Sequence, residues 1–424
     1  MKQILSLVAT LMMSWGLMAL PKAKQATAIT QVYGDGVRFV AVGVEFPVVV
    51  RLSDLSQDAF SVEGYKVDKV SVHNKLELGA ASDSGRYVLL HISTENPELS
   101  LAYKQAMSNA TTTSTPKRGG KKWVAGDKLA DNLAYREPQA TVRYDAKTIT
   151  TSHVRNLVVD DFEQLTFTDS KTGKTLRYNL YKPKGYEGKP LPLPLVLFMH
   201  DAGVTSYYYR ATLFQGLGAV VWASPEEQSK RPCYVLAPQF DEIIVDDNSE
   251  TSPMMQTTVN LIEELCSKYT IDKNRIYATG QSGGCMMSIA MNIKYPDLFA
   301  ASYLVAGQWD PKLTTPLATK KLWIMTSVDD AGAFPGQNAI TKHLEQNGAK
   351  VSRDFWDATW TANEYRFAYD KITANGTAIN YTTFVKGSVF LPGASTAGAS
   401  GHRNTWRVAY SIEPIREWLF AQSK

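Results

Sequence analysis

Gly280-Gln281-Ser282-Gly283-Gly284 follows the run Arg275-Ile276-Tyr277-Ala278-Thr279 and precedes a helical stretch over residues 285–294. A glycine-x-serine-x-glycine set between a strand and a helix specifies a sharp turn that lifts the serine out at the edge of a parallel sheet. Side chains at positions 280 and 284 would collide with neighbouring backbone in such a turn, so both are glycine. Ser282 is the expected nucleophile. The five residues alone are a weak signal, and the strand-turn-helix setting is what makes them specific.

Outward from this turn, residues 195–199, 234–237, 275–279 and 321–326 read as short buried strands, with an amphipathic helix over 257–269. Such alternation predicts a mainly parallel sheet covered on both faces. A hairpin turning at Thr172-Gly173 precedes it. Before residue 155 the pattern is different: short apolar alternations at 37–42, 48–52, 69–72 and 87–92 are separated by turn residues without an intervening helix. That predicts a small antiparallel sandwich, closed by a strand at 140–144, with a solvated loop over 111–122.

The chain has 424 residues, 44% hydrophobic and 20% charged, enough for two domains. Lys2 precedes an apolar run over 4–20, and Ala26-Thr27-Ala28 offers a small-x-small cleavage pattern. Residues 1–28 are therefore expected to be a signal peptide cleaved after Ala28, residues 29–155 a sandwich and residues 156–424 the catalytic domain of a secreted or periplasmic protein. A membrane anchor is the other reading, but Ser6, Thr10, Ser14 and Gly16 interrupt a run already short for a span.

Removing residues 1–28 takes away Lys2, Lys22 and Lys24 and no acids, leaving a nearly neutral chain. Its basic cluster, Lys117-Arg118 with Lys121-Lys122, lies in the solvated loop, so neither nucleic acid nor a membrane span is an expected partner. Three cysteines, at 233, 266 and 285, exclude a disulfide framework and are expected as free thiols. No metal or cofactor is expected.

A serine hydroxyl needs a neutral imidazole beside it, itself oriented by a carboxylate, and in this kind of sheet the chain order is serine, acid, histidine. His343 falls in a helical pattern over 340–344, whereas His402 follows the Gly- and Ser-rich loop 397–401 just before the terminal helix, where a catalytic base belongs. The strand over 321–328 leads into Asp329-Asp330. Asp330 is the first choice as the acid and Asp329 remains open; the other carboxylate is expected to cap a turn. Donors for an oxyanion are expected from the backbone of Gly283 and from the loop His200-Asp201-Ala202-Gly203, through Asp201 and Ala202, with His200 structural. Gln281, Trp309, Trp356 and Trp406 are the expected pocket residues, suited to a compact apolar or aromatic group, and residues 356–390 are expected to form an extra lid or rim.

Beyond the triad, Tyr33-Gly34-Asp35-Gly36, Phe60-Ser61-Val62-Glu63-Gly64, Val159-Asp160-Asp161-Phe162, Val235-Leu236-Ala237-Pro238-Gln239 and Tyr295-Pro296-Asp297-Leu298-Phe299-Ala300 stand out. Together these residues resemble a family of bacterial carboxylesterases, often labelled predicted peptidases, that carry an immunoglobulin-like domain before an α/β-hydrolase domain. The resemblance spans nearly the whole chain after residue 28. It implies that fold and hydrolysis of a small carboxylic ester through an acyl-enzyme at Ser282, Asp330 and His402. Two departures stand out: Asp201 replaces the first glycine of the family's His-Gly-x-Gly, and Thr326-Ser327 stand where His-Gly or His-Ala is common. A prolyl-oligopeptidase-type peptidase and a polyester or aryl-ester hydrolase are the other enzymatic readings. A non-catalytic binding protein is the third class, against which a complete triad argues.

Overall fold

Runs of β-branched and aromatic residues ahead of residue 155 form strands, as their alternation dictates. The computed structural model describes residues 20–96, 99–104, 124–128, 133–186 and 188–424. The apolar run before Leu20 and the loop 111–122 with its basic cluster lie outside the described residues. The early strands are β1 (Gln25–Tyr33), β2 (Gly36–Arg51), β3 (Phe60–Val62), β4 (Val67–His73), β5 (Ser84–Ile92), β6 (Ala102–Lys104), β7 (Leu133–Tyr135), β8 (Thr141–Tyr144), β9 (Lys147–Thr150) and β10 (His153–Asn156). They pair as a five-stranded sheet in the order β10-β1-β2-β5-β4, a three-stranded sheet β3-β8-β9 and a ribbon β6-β7. Phe46 of β2 meets Tyr144 of β8 edge to face at 5.6 Å, and Phe60 of β3 stacks on the same ring at 5.8 Å, closing the two sheets into a sandwich.

The expected cleavage after Ala28 is corrected here. Ala26 and Ala28 are fully buried within β1. Ser152 N–H donates to Ala26 O at 3.0 Å, and Lys24 N–H to Glu45 O at 2.7 Å. A cut after Ala28 would remove the first half of this paired strand. No helix among the described residues is long and apolar enough to cross a membrane.

After Asn156 the strands are β11 (Glu163–Asp169), β12 (Lys174–Tyr181), β13 (Leu193–Met199), β14 (Tyr234–Gln239), β15 (Ile271–Gln281), β16 (Ala301–Val305), β17 (Leu322–Ser327), β18 (Val351–Trp356) and β19 (Ile379–Phe384). They form one sheet in the order β11-β12-β14-β13-β15-β16-β17-β19-β18. The hairpin β11-β12 and the pair β12-β14 are antiparallel, and the pairs from β14 onward are parallel. β13, β16 and β17 are buried along their whole length, as strands covered on both faces must be. The covering helices are α1 (Ala211–Phe214), α2 (Leu217–Val220), α3 (Pro225–Lys230), α4 (Met254–Lys268), α5 (Gly283–Lys294), α6 (Ala333–Gln346), α7 (Ala362–Thr373), α8 (Ser400–Ala409) and α9 (Glu413–Phe420). This is the α/β-hydrolase fold, preceded by an all-β region. Residues 356–390 are not a lid: they carry α7 and the buried strand β19 of the main sheet.

Contacts divide the chain into two compact units. Among the described residues, one takes in those up to Ile29 and those of Phe39–Leu99 and Pro138–Arg155; the other takes in those of Asn156–Lys424, Thr30–Arg38 and Ser100–Glu137. Two stretches of the expected 29–155 block thus pack within the hydrolase unit. Gly34 lies against α8 so closely that a Cβ there would stand 2.0 Å from Arg407 O. Gly126 N–H donates to Ile243 O at 2.7 Å, Ile243 N–H to Asp127 O at 2.8 Å, and Ala125 N–H to Asp246 Oδ2 at 3.3 Å. Cys233, Cys266 and Cys285 are free thiols.

Candidate active site

Ser282 stands between the last residue of β15 and the first of α5, with φ 52° and ψ −119°. Strain of this kind persists only where the surroundings over-determine it. They do so here. A Cβ at Gly284 would lie 1.9 Å from Met199 O, and one at Gly280 2.5 Å from the backbone of Gly284. Ser282 N–H is tied to Val305 O on β16 at 3.0 Å.

His402 Nε2 lies 2.8 Å from Ser282 Oγ, and His402 Nδ1 lies 2.5 Å from Asp330 Oδ2. The histidine is in the first turn of α8 rather than in the loop before the terminal helix, which is α9. Asp330 follows β17, and its Oδ1 accepts the N–H groups of Gly332 at 3.1 Å and Ala333 at 3.0 Å, where α6 begins. Burial works to raise the Asp330 pKa, but His402 and these two amides outweigh it and hold the carboxyl below its ordinary value. Asp329 is engaged elsewhere, with Oδ2 accepting from Gly387 N–H at 2.7 Å. Of the two adjacent acids, only Asp330 meets the imidazole, and Asp329 caps a turn. His343 bonds Thr315 Oγ1 at 2.9 Å and lines neither cleft beside Ser282.

Gly283 is the first residue of α5, and Ala202 is the first of a short 3-10 turn, Ala202–Val204. First-turn amides have no acceptor within their own helix. The two positions are neighbours, since a Cβ on Gly283 would lie 3.6 Å from Ala202 N. Asp201 has φ −72° and ψ 164°, so an aspartate in place of the expected glycine costs nothing in backbone energy. Its Oδ1 accepts from Gly203 N–H at 2.7 Å. His200 is buried: its Nδ1 meets Asp201 O at 2.7 Å, and its Nε2 accepts from Phe240 N–H at 3.0 Å. This fixes a neutral tautomer, and burial lowers its pKa further.

Two clefts flank Ser282. The first, of about 390 Å³, is lined by Met286, Ala306, Gly307, Gln308 and the Asp330 turn. The second, of about 350 Å³, is lined by Ala202, Gly203, Val245, Arg403 and Trp406. Asp247, Met286, Ala399 and His402 border both. Trp406 alone of the expected tryptophans reaches a cleft. Trp309 packs in the hydrophobic core, and Trp356 is buried among Trp323, Trp360 and Tyr365. Gln281 is fully buried behind the serine and lines neither cleft. Gly398 and Ala399, at the end of the exposed loop 391–399, line the clefts instead. Asp247, Gln308, Ala306 and Arg403 were missed by sequence reasoning. Ala306 has φ 52° just past β16, so recognising that strand would have drawn attention to it.

Comparison with known proteins bears on both halves of the chain. Residues 25–154 match the esterase Ig-like N-terminal domain, and residues 252–341 match the prolyl oligopeptidase family. The poly(3-hydroxyalkanoate) depolymerase C of Paucimonas lemoignei is 28% identical over 177 residues, covering 40% of this chain and 41% of that protein. A probable acetylxylan esterase A of Neosartorya fischeri is 27% identical over 159 residues, covering 36% and 40%. The chain thus spans about two-fifths of the length of these curated relatives. A solved thermostable esterase shares the fold over 95% of this chain and all of its own, with a TM-score of 0.75 at 24% identity. Sequence matched over residues 25–154 and 252–341 makes the chain similar to esterases with an Ig-like N-terminal domain and to the prolyl oligopeptidase family, on a fold that it shares with a solved esterase over nearly its whole length.

Proposed function

We propose that the protein is an exported carboxylesterase that works through an acyl-enzyme on Ser282, with His402 as general base and acid and Asp330 as its orienting carboxylate. The observation that carries this reading is the continuous chain Asp330 Oδ2 to His402 Nδ1 at 2.5 Å and His402 Nε2 to Ser282 Oγ at 2.8 Å. Ser282 Oγ attacks the ester carbonyl as His402 Nε2 takes its proton. The oxygen that gains the negative charge is held by the amides of Gly283 and Ala202. Collapse of this intermediate breaks the bond to the alcohol, which leaves with the proton from His402. Water then attacks the acyl-enzyme by the same path, releasing the acid and restoring Ser282. Asp330 stays ionised throughout and favours the imidazolium that forms beside it.

An ester fits the two clefts that meet at Ser282, one for the acyl group and one for the alcohol, both bordered by Ala399 of the exposed loop 391–399. The esterase Ig-like domain and the ester-cleaving relatives support the same substrate class. Export rests on Lys2 and the apolar run over residues 4–20. The test is kcat/KM for a p-nitrophenyl short-chain ester against a matched prolyl p-nitroanilide. The ester is expected to be faster by orders of magnitude, and an equal or faster anilide replaces this reading with a peptidase.

A further inference from the structure

Asp201 and Gln281 stand at the ends of neighbouring parallel strands. The backbone register of β13 with β15 ends at the pair Met199 and Gly280. Beyond it one chain turns toward Ala202 and the other toward Gly283. Side chains take over there: Gln281 Nε2 donates to Asp201 Oδ2 at 3.0 Å and to Gln215 Oε1 at 3.0 Å. The other carboxylate oxygen, Oδ1, accepts from Gly203 N–H at 2.7 Å. The carboxylate therefore has one donor from the turn that bears Ala202 and one from the residue directly before Ser282. Gln281 is fully buried, while Asp201 is half-buried and lines the second cleft, so the contact is shielded from water on the Gln281 side.

We infer that Asp201 and Gln281 form a clamp that sets the spacing of the Ala202 and Gly283 amides, making both side chains positioning residues for the reaction proposed above, on which this inference rests. Donors to an oxyanion act within a narrow range of distances, and displacement by about 1 Å is enough to cost roughly a hundredfold in rate. A glycine at 201 supplies no side-chain tie between the two strand ends. Aspartate supplies one without backbone strain, because its φ of −72° is open to any residue. A bare carboxylate close to a developing oxyanion would oppose it by repulsion. Here each oxygen is turned to a donor, which draws its charge toward the clamp. An asparagine at 201 in the same pose would set an amide N–H₂ against the Gln281 donor, so the pair needs one acceptor and one donor.

The test exchanges their polarity. Asp201→Asn, Gln281→Glu and the double variant are assayed with p-nitrophenyl acetate, with phosphonate labelling of the serine and thermal midpoints measured in parallel. Each single change is expected to lower kcat by about 10- to 100-fold, part of the 10²–10³ lost when an oxyanion donor is removed, with KM within about threefold. The double variant is expected to recover at least about threefold over the weaker single, because the amide introduced at 201 then donates to the carboxylate introduced at 281, while the bond from residue 281 to Gln215 Oε1 stays lost. Wild-type protein that takes no label at Ser282 overturns the serine-esterase reading itself. Labelled singles with unchanged kcat, or a double variant no better than the weaker single, overturn the clamp alone.

Discussion

The Trp406 ring stands perpendicular to the His402 imidazole, 4.9 Å between centroids and 87° between planes, one helical turn along α8. The pair closes the side of the imidazole that its two hydrogen bonds leave free to swing. An aromatic contact of this geometry is worth about 0.5–1.5 kcal/mol beyond burial, so Trp406→Ala is expected to lower kcat up to about tenfold. Trp406→Phe, which keeps a ring edge, is expected to retain most of the rate. Steady-state kinetics on one soluble ester decides it.

The two acids at 329 and 330 separate cleanly by role. Asp330→Asn is expected to lower kcat by about 10⁴ with the fold intact, since the imidazole loses the carboxylate that sets its tautomer. Asp329→Asn removes an acceptor for Gly387 N–H and is expected to cost less than about tenfold. The opposite ranking in kcat would transfer the acid to Asp329. Ser282→Ala and His402→Ala are each expected to abolish turnover by several orders of magnitude.

Asp330 also predicts an acid limb of stability. Its pKa is depressed in the folded state, so its contribution is fully present above the unfolded carboxyl value of about 3.9 and is lost as the pH falls through the lower folded value. Urea midpoints of wild type and Asp330→Asn are therefore expected to differ above about pH 4 and to converge below it. A gap that stays constant down to the acid end would contradict the depressed pKa.

Much of this site was legible because its parts are local or ordered along the chain. The turn at 280–284 announces itself through two glycines that must approach Met199 O, and chain order then leaves His343 and His402, of which the helical pattern around His343 favours His402. The pocket was less legible. Trp309, Trp356 and Trp406 are chemically alike in sequence, and only packing distinguishes a core ring from one beside the imidazole. β19 escaped notice because Asn380, Thr382 and Thr383 make it read as polar. The strand is nevertheless buried: Thr382 accepts from Trp323 Nε1 at 2.9 Å, and Thr383 bonds Thr326 at 3.2 Å. Buried polar groups with internal partners leave no hydrophobic signal to read.

A chain beginning near Asp160 would keep every residue that lines the two clefts, since these all follow position 200. It would lose the backbone bonds from residues 125–127 to Ile243 and Asp246, which hold the wall that carries Val245 and Asp247. Such a truncation is expected to take phosphonate at Ser282 while kcat/KM falls at least about tenfold, mainly through KM, as befits a displaced binding wall. Unchanged kcat/KM would mean that the wall stands without its buttress.

The passage of residues 30–38 and 100–137 into the hydrolase unit has a consequence for how such proteins diversify. Gly34, which precedes the hydrolase stretch by more than a hundred positions, is pressed against the helix that bears His402. A recombination event that joins the first 155 residues of one family member to the remainder of another splits this unit between two parents. The graft inherits a loop shaped for a different α8 and a buttress shaped for a different cleft. A crossover that carries both stretches with residues 156–424 keeps the unit of one parent whole, and is expected to preserve turnover better than one placed at residue 155.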